Sequence, residues 1–202
     1  SPSTAWASEK LQKKNGEQSC STVPTIATQR CIFASLKRRS RETGLVKKRE
    51  DSMSLKGKRI ALLLENIFED AEVIYPFYRL KEEGADIVFI GPKKGQEYRG
   101  KHGYPFTADT GIDEANSANF DAVIVPGCFS PDFMRRTPKM IDFVRTANQA
   151  GKVVAAICHG PWVLISAGCV KGKRATSFVA IKDDMVNAGA NWVDEEVARD
   201  GN

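Results

Sequence analysis

From Arg59 onward the sequence alternates short β-branched runs with stretches of helical period, and this alternation constrains the fold more than any other feature. Runs such as Ile60-Ala61-Leu62-Leu63-Leu64 and Ala122-Val123-Ile124-Val125 show no polar alternation, so both faces of such strands must be covered. Apolar strands separated by amphipathic helices define βαβ units and a mostly parallel α/β sheet. The pattern places strands over 60–65, 86–90, 121–125 and 152–157, and a short extended piece over 106–108. Helices are expected over 69–83, 138–150, 161–167 and 181–188. Gly84, Gly151, Gly168 and Gly189 end them, Thr137 caps the helix that Pro138 opens, and Pro76 is expected to kink or delay the first one. A last strand over 196–199 leads to Asp200-Gly201, a hairpin dipeptide. The strand returning from that turn and a final helix are expected to lie beyond residue 202.

The formal net charge of +5 suggests a nucleic-acid binder only until it is divided along the chain. Residues 1–52 carry 11 Lys/Arg against 5 Asp/Glu, which leaves 19 basic and 20 acidic residues for the rest. The unit over 53–202 therefore has no basic signature, and no nucleic-acid partner is expected for it. Residues 1–52 are rich in Ser, Lys, Arg, Gln and Thr without apolar period, and read as a disordered basic leader or presequence, with Met53 as a natural start. No apolar run approaches the ~20 residues that span a bilayer. Five cysteines, no C-x-x-C pair and two histidines point to neither a disulfide framework nor a zinc site. A reducing compartment is expected, the cytoplasm, or an organelle if the leader is a transit peptide.

Ligands of open α/β sheets bind beyond the carboxyl ends of the strands. That rule gathers Glu69, Cys128 and Cys158, each of which follows a strand. Cys158 stands at a strand-to-helix turn, where a nucleophile is pushed out of the sheet on a strained backbone. Amides of the following turn favour a thiolate and can bind an oxyanion. The plain alternative is a small buried cysteine. His159 is a candidate base, although neighbours on a turn point apart. Glu69 is a candidate for a proton-holding carboxyl beside the sulfur, or else a helix-capping residue.

Four segments carry a resemblance: residues 65–76, Gly100-Lys101-His102-Gly103-Tyr104, Ala156-Ile157-Cys158-His159-Gly160-Pro161, and residues 181–189. In order and spacing they resemble the PfpI family of intracellular cysteine peptidases and deglycases, within the DJ-one superfamily related to class I glutamine amidotransferases. The resemblance implies a flavodoxin-like three-layer sandwich and no metal or other cofactor. It implies Cys158 as nucleophile, His159 as its partner, Glu69 as the protonated acid, and backbone amides of His159 and Cys128 as oxyanion donors. Asp132 would reach His159 of a neighbouring subunit, which implies a dimer or a hexamer. Three positions depart from the family pattern. Gly127 is followed by Cys128 where a second glycine is usual, Asp132 is one methylene shorter than the usual Glu, and Phe178 replaces a tyrosine beside the site.

The function these readings favour is a cysteine hydrolase acting on glyoxal or methylglyoxal adducts, or on peptides. The alternative is a stress-response redox sensor or chaperone-like protein built on an oxidisable Cys158.

Overall fold

The computed structural model describes residues 54–202, so the expected leader over 1–52 lies outside the described residues. At its centre is a parallel sheet of five strands: β1 (Arg59–Leu63), β2 (Asp86–Gly91), β5 (Thr110–Gly111), β6 (Ala122–Val125) and β7 (Val153–Ala156), in the order β5-β2-β1-β6-β7. The chain winds outward from β1 to one edge, then returns to build the other half from β6. The reversal falls between β1 and β6, the switch point where open α/β sheets place their ligands.

Strand pleating divides the apolar runs between two cores. Ala61, Leu63, Val123 and Val125 face a cluster that contains Met140, Phe143, Val144 and Val163. Ile60, Leu62, Leu64 and Ile124 face the opposite one, with Leu55, Val73, Leu80 and Phe89. Helix α1 (Asp70–Glu82) covers the second face, and helices α2 (Ser130–Arg135), α3 (Pro138–Gln149) and α4 (Pro161–Ser166) cover the first. Sheet and covering helices form the flavodoxin-like sandwich.

Several local expectations need correction. Helix α1 runs unbroken through Pro76, whose missing N–H leaves the carbonyl of Glu72 without its usual intrahelical donor. Thr137 does precede α3, but its hydroxyl makes no capping hydrogen bond. The extended piece near 106–108 is one arm, β4 (Pro105–Thr107), of an antiparallel hairpin whose other arm is β3 (Glu97–Arg99). No strand forms over 196–199. Instead, two-residue strands β8 (Arg174–Ala175) and β9 (Asn191–Trp192) pair in parallel, and helix α5 (Lys182–Asn187) packs its Met185 with Val170 and Ala190. Asp200 accepts from the Arg174 amide at 2.9 Å, and the Asn202 carbonyl accepts from Val154 of β7 at 3.3 Å. A cavity of about 170 Å³ runs along this outer side of β7, lined among others by Val154, Ala156, Leu164 and Arg174. No helix among the described residues is long and apolar enough to cross a membrane.

Leu62 sits fully buried on the central strand. Leu62→Ala should cost about 2–5 kcal/mol of unfolding free energy. A urea midpoint unchanged from wild type would place the load of that face elsewhere.

Candidate active site

Three non-glycine residues among those described hold left-handed backbone: Ile67 (φ 59°), Cys128 (φ 56°) and Cys158 (φ 58°). They follow β1, β6 and β7, three adjacent strands, at the carboxyl end of the sheet. For L-residues this region costs ~1–2 kcal/mol each, and a β-branched residue such as Ile67 is an outlier there. Strain concentrated at one place needs surroundings that enforce it, and functional sites are where it collects.

The enforcing contacts are on hand. The carbonyl of Ile67 accepts from the amides of Phe129 and Ser130, both at 3.1 Å, and the Ser130 hydroxyl donates to the Glu65 carbonyl at 3.0 Å. Loops after β1 and β6 are thus tied together. Gly127 closes the junction to β7. A Cβ there would lie 2.7 Å from Cys158 Cβ, 2.8 Å from a Glu72 oxygen and 2.8 Å from the His159 amide. Only glycine allows that approach. At Gly160 a Cβ would lie 2.5 Å from the Val125 carbonyl, which fixes the far side of the elbow.

At this elbow Cys158 Sγ stands 3.1 Å from Nδ1 of His159. The expectation that adjacent residues point apart therefore fails, because the positive φ of Cys158 turns its side chain back over the next residue. The imidazole ring is tilted against Phe178, with centroids 4.9 Å apart, and meets Trp162 edge-on at 5.2 Å. Burial pushes the His159 pKa down. The His159 amide, one of the two expected oxyanion donors, has no acceptor among the described residues. Cys128, which carries the other amide, is buried and in the left-handed conformation that glycine would adopt freely. Helix α4 has only six residues and opens with Pro161, so it offers fewer free amides than the sequence argument assumed.

The carboxyl beside the sulfur is that of Glu72, not Glu69. Glu72 is fully buried, its Oε2 accepts from the Gly127 amide at 2.6 Å, and its Oε1 has no hydrogen-bond partner among the described residues. The Cys158 side chain is its polar neighbour on the other side. Burial pushes the Glu72 pKa up to about 8, against the Gly127 hydrogen bond, with the charge of Glu69 pushing the same way as burial and the Cys158 contact opposing. This carboxyl is neutral at pH 7.

Glu69 caps α1 one turn away, without a side-chain capping bond. Its carboxylate lies 3.9 Å from Lys101 Nζ and 3.7 Å from His102 Nε2. Asp70, next to it, accepts from the amides of His102 (2.9 Å) and Tyr104 (3.0 Å), which latches the β3–β4 hairpin over the start of α1. Glu69, Asp70 and His102 bring donor atoms within 4.8 Å of one another. Among the described residues these are the ones that could hold a cation, and Lys101 already supplies a positive charge there. Asp132, expected to serve His159, is ion-paired with Arg136 on the exposed surface of α2, and no contact within the chain joins it to the imidazole.

The missed residue, Glu72, had a signal in the sequence. It shares the buried side of α1 with Val73, Pro76 and Leu80, and an acid on an apolar stripe requires a partner.

Residues 58–202 match the model of the DJ-1/PfpI family. The chain is 47% identical over 144 residues to the deglycase PfpI of Pyrococcus furiosus, covering 71% of this chain and 86% of that protein. It is 40% identical over 144 residues to protein/nucleic acid deglycase 2 of Escherichia coli, covering 71% and 84%. Among solved structures, a two-domain protein from Anabaena variabilis with DJ-1/ThiJ/PfpI-like and ferritin-like domains matches with a TM-score of 0.71 and 46% identity. That match spans 72% of this chain and 42% of the two-domain chain.

A buried carboxyl that keeps its proton in the fold links stability to pH. Glu72 holds the proton up to about pH 8, whereas the unfolded group releases it near 4.5. Its stabilising contribution is complete below the lower value and is lost progressively as pH rises from there through the upper one. Melting temperatures should therefore fall from pH 5 to pH 9 in wild type, and Glu72→Gln should flatten that decline. Parallel slopes in the two proteins would assign the alkaline loss to other groups.

Proposed function

The chain belongs to the DJ-1/PfpI family, and from that premise we propose that it is a cysteine hydrolase of early glyoxal and methylglyoxal adducts on amines and thiols. The observation that carries this reading is the 3.1 Å contact of Cys158 Sγ with His159 Nδ1 at a strained elbow, with the neutral Glu72 carboxyl beside the sulfur. Its deglycase-named relatives support the choice of adduct over peptide.

In this reading Nδ1 of His159 takes the thiol proton, and the thiolate so formed accepts a hydrogen bond from protonated Glu72. Sulfur then adds to the electrophilic carbon of the adduct. The negative charge that develops on its oxygen faces the unpaired His159 amide. The imidazolium returns its proton to the departing amine or thiol, which leaves a hemithioacetal on Cys158. The C1 proton then moves to C2 through an enediol, oxidising C1 to a thioester as the neighbouring carbonyl is reduced to an alcohol, and water hydrolyses that thioester to the free acid and the Cys158 thiol. For a methylglyoxal adduct on an amine, the net change is adduct plus water giving free amine plus lactate; a glyoxal adduct gives glycolate. No redox equivalent is consumed.

Asp132 enters this scheme only through a second subunit. Its exposure on α2 suits such a contact, in an assembly of two or more copies. A second reading uses the same sulfur without turnover. Oxidation of Cys158 to a sulfinate would place its oxygens beside Glu72, whose retained proton can be donated to them.

Lactate release from methylglyoxal-treated N-acetyl-lysine, followed by proton NMR, separates these readings. Cys158→Ala should reduce release to the uncatalysed background, and His159→Ala should slow it by about 10²–10⁴-fold. Glu72→Gln should cost more than Glu69→Gln. Undiminished release by Cys158→Ala would remove the hydrolase proposal. Absence of turnover in wild type, together with oxidation of Cys158 at low peroxide, would favour the sensor.

A further inference from the structure

The segment over 181–189, which carries part of the family resemblance, lies outside the chemistry just described, yet one of its side chains reaches toward it. Asp184 of α5 accepts a hydrogen bond from the indole N–H of Trp162, 2.7 Å long. Trp162 in turn presents its edge to the imidazole of His159. We propose that Trp162, anchored by Asp184, is a positioning residue that holds His159 Nδ1 on the sulfur of Cys158. This inference rests on the Cys158–His159 reading above.

The imidazole needs such a support. It sits on the turn between β7 and α4, where no helix or strand fixes its orientation, and a rotation about either side-chain bond carries Nδ1 away from Sγ. One support is Phe178, whose ring lies at 4.9 Å and whose own amide donates to the Cys158 carbonyl at 3.0 Å. Trp162 supplies another contact at 5.2 Å. It is three residues further on, and its amide donates to the His159 carbonyl at 3.0 Å, so its ring stands one turn along from the imidazole.

An indole that is only half-buried would not by itself hold a neighbour in place. Two contacts restrain it. The hydrogen bond to Asp184 is charge-assisted and bridges 22 residues of chain, from α4 to α5. The guanidinium of Arg135 on α2 lies 5.9 Å from the centre of the indole, at the outer limit of a cation–π contact, while its Nε donates to Ser166 at 2.8 Å. Three helices therefore converge on one ring. The ring of Trp162 meets the imidazole, and its influence on the sulfur runs through that ring.

The rate of Cys158 alkylation by iodoacetamide, measured from pH 5 to pH 9, reads the thiolate without any substrate. Trp162→Phe keeps an aromatic ring and removes the donor; Asp184→Ala removes the acceptor from an exposed position and should leave the fold intact. Each should lower the rate at pH 6.5 by about 3–10-fold and shift the rise of the profile to higher pH. The double variant should be no slower than either single one, and Asp184→Asn should restore part of the rate. Profiles of both single variants superimposable on wild type, in a background where His159→Ala alters the profile, would overturn the positioning role and leave the Cys–His pair standing. An unchanged profile in His159→Ala would instead remove the pair itself, and the inference with it.

Discussion

The contact on which the site depends is the hydrogen bond from the Gly127 amide to the buried carboxyl of Glu72. It joins the loop after β6 to α1, and the glycine lies so close to Cys158 and His159 that the elbow after β7 is held by the same junction. A fully buried carboxylate would be too costly to keep charged, and burial leaves it neutral with one proton to donate. One oxygen is spent on Gly127. The other has no hydrogen-bond partner among the described residues, and the Cys158 thiol is the neighbouring group that acts on the carboxyl. In the proposed function, structure and chemistry share this single carboxyl.

Much of this organisation was legible in the residues. The four buried strands and the main helices followed from apolar period, and the position of Cys158 at a carboxyl-end turn followed from the strand before it and the Gly160-Pro161 after it. What the sequence withheld was phase and backbone conformation. Glu69 and Glu72 are separated by a single helical turn, and choosing between them requires knowing where α1 begins. With Glu69 as the cap and Asp70 as the first helical residue, Glu72 joins the apolar stripe and Glu69 stays at the rim. The short strands β3, β4, β8 and β9 carry too few residues for a period to be read, so their pairing rests on long-range contacts.

The left-handed residues show a different limit. The second glycine usual at the position of Cys128 announces a positive φ there, yet nothing in the identity of Ile67 does, and for either side chain that conformation is disfavoured. The conformation is imposed by the two amides that converge on the Ile67 carbonyl and by burial of the Cys128 side chain. Local propensity and tertiary demand disagree here, at the loops that surround the reactive sulfur, and such disagreement is expected where function has outweighed ease of folding.

How the thiolate is stabilised now has a narrower answer than a helix dipole. Helix α4 is six residues long and begins with a proline, so its field at Cys158 is weak and one amide is missing. The burden passes to His159 and Glu72. These two act in opposite senses: proximity of the imidazole to sulfur favours the ion pair, while burial of the same ring, walled by Phe178 and Trp162, disfavours its charged form. In the proposed scheme a proton donated by Glu72 favours the charge on sulfur without adding another negative charge to the site. In that scheme these opposing influences meet at the Sγ–Nδ1 contact. Small displacements of the ring then matter more than they would beside a strong dipole, and the aromatic walls around His159 become part of the chemistry.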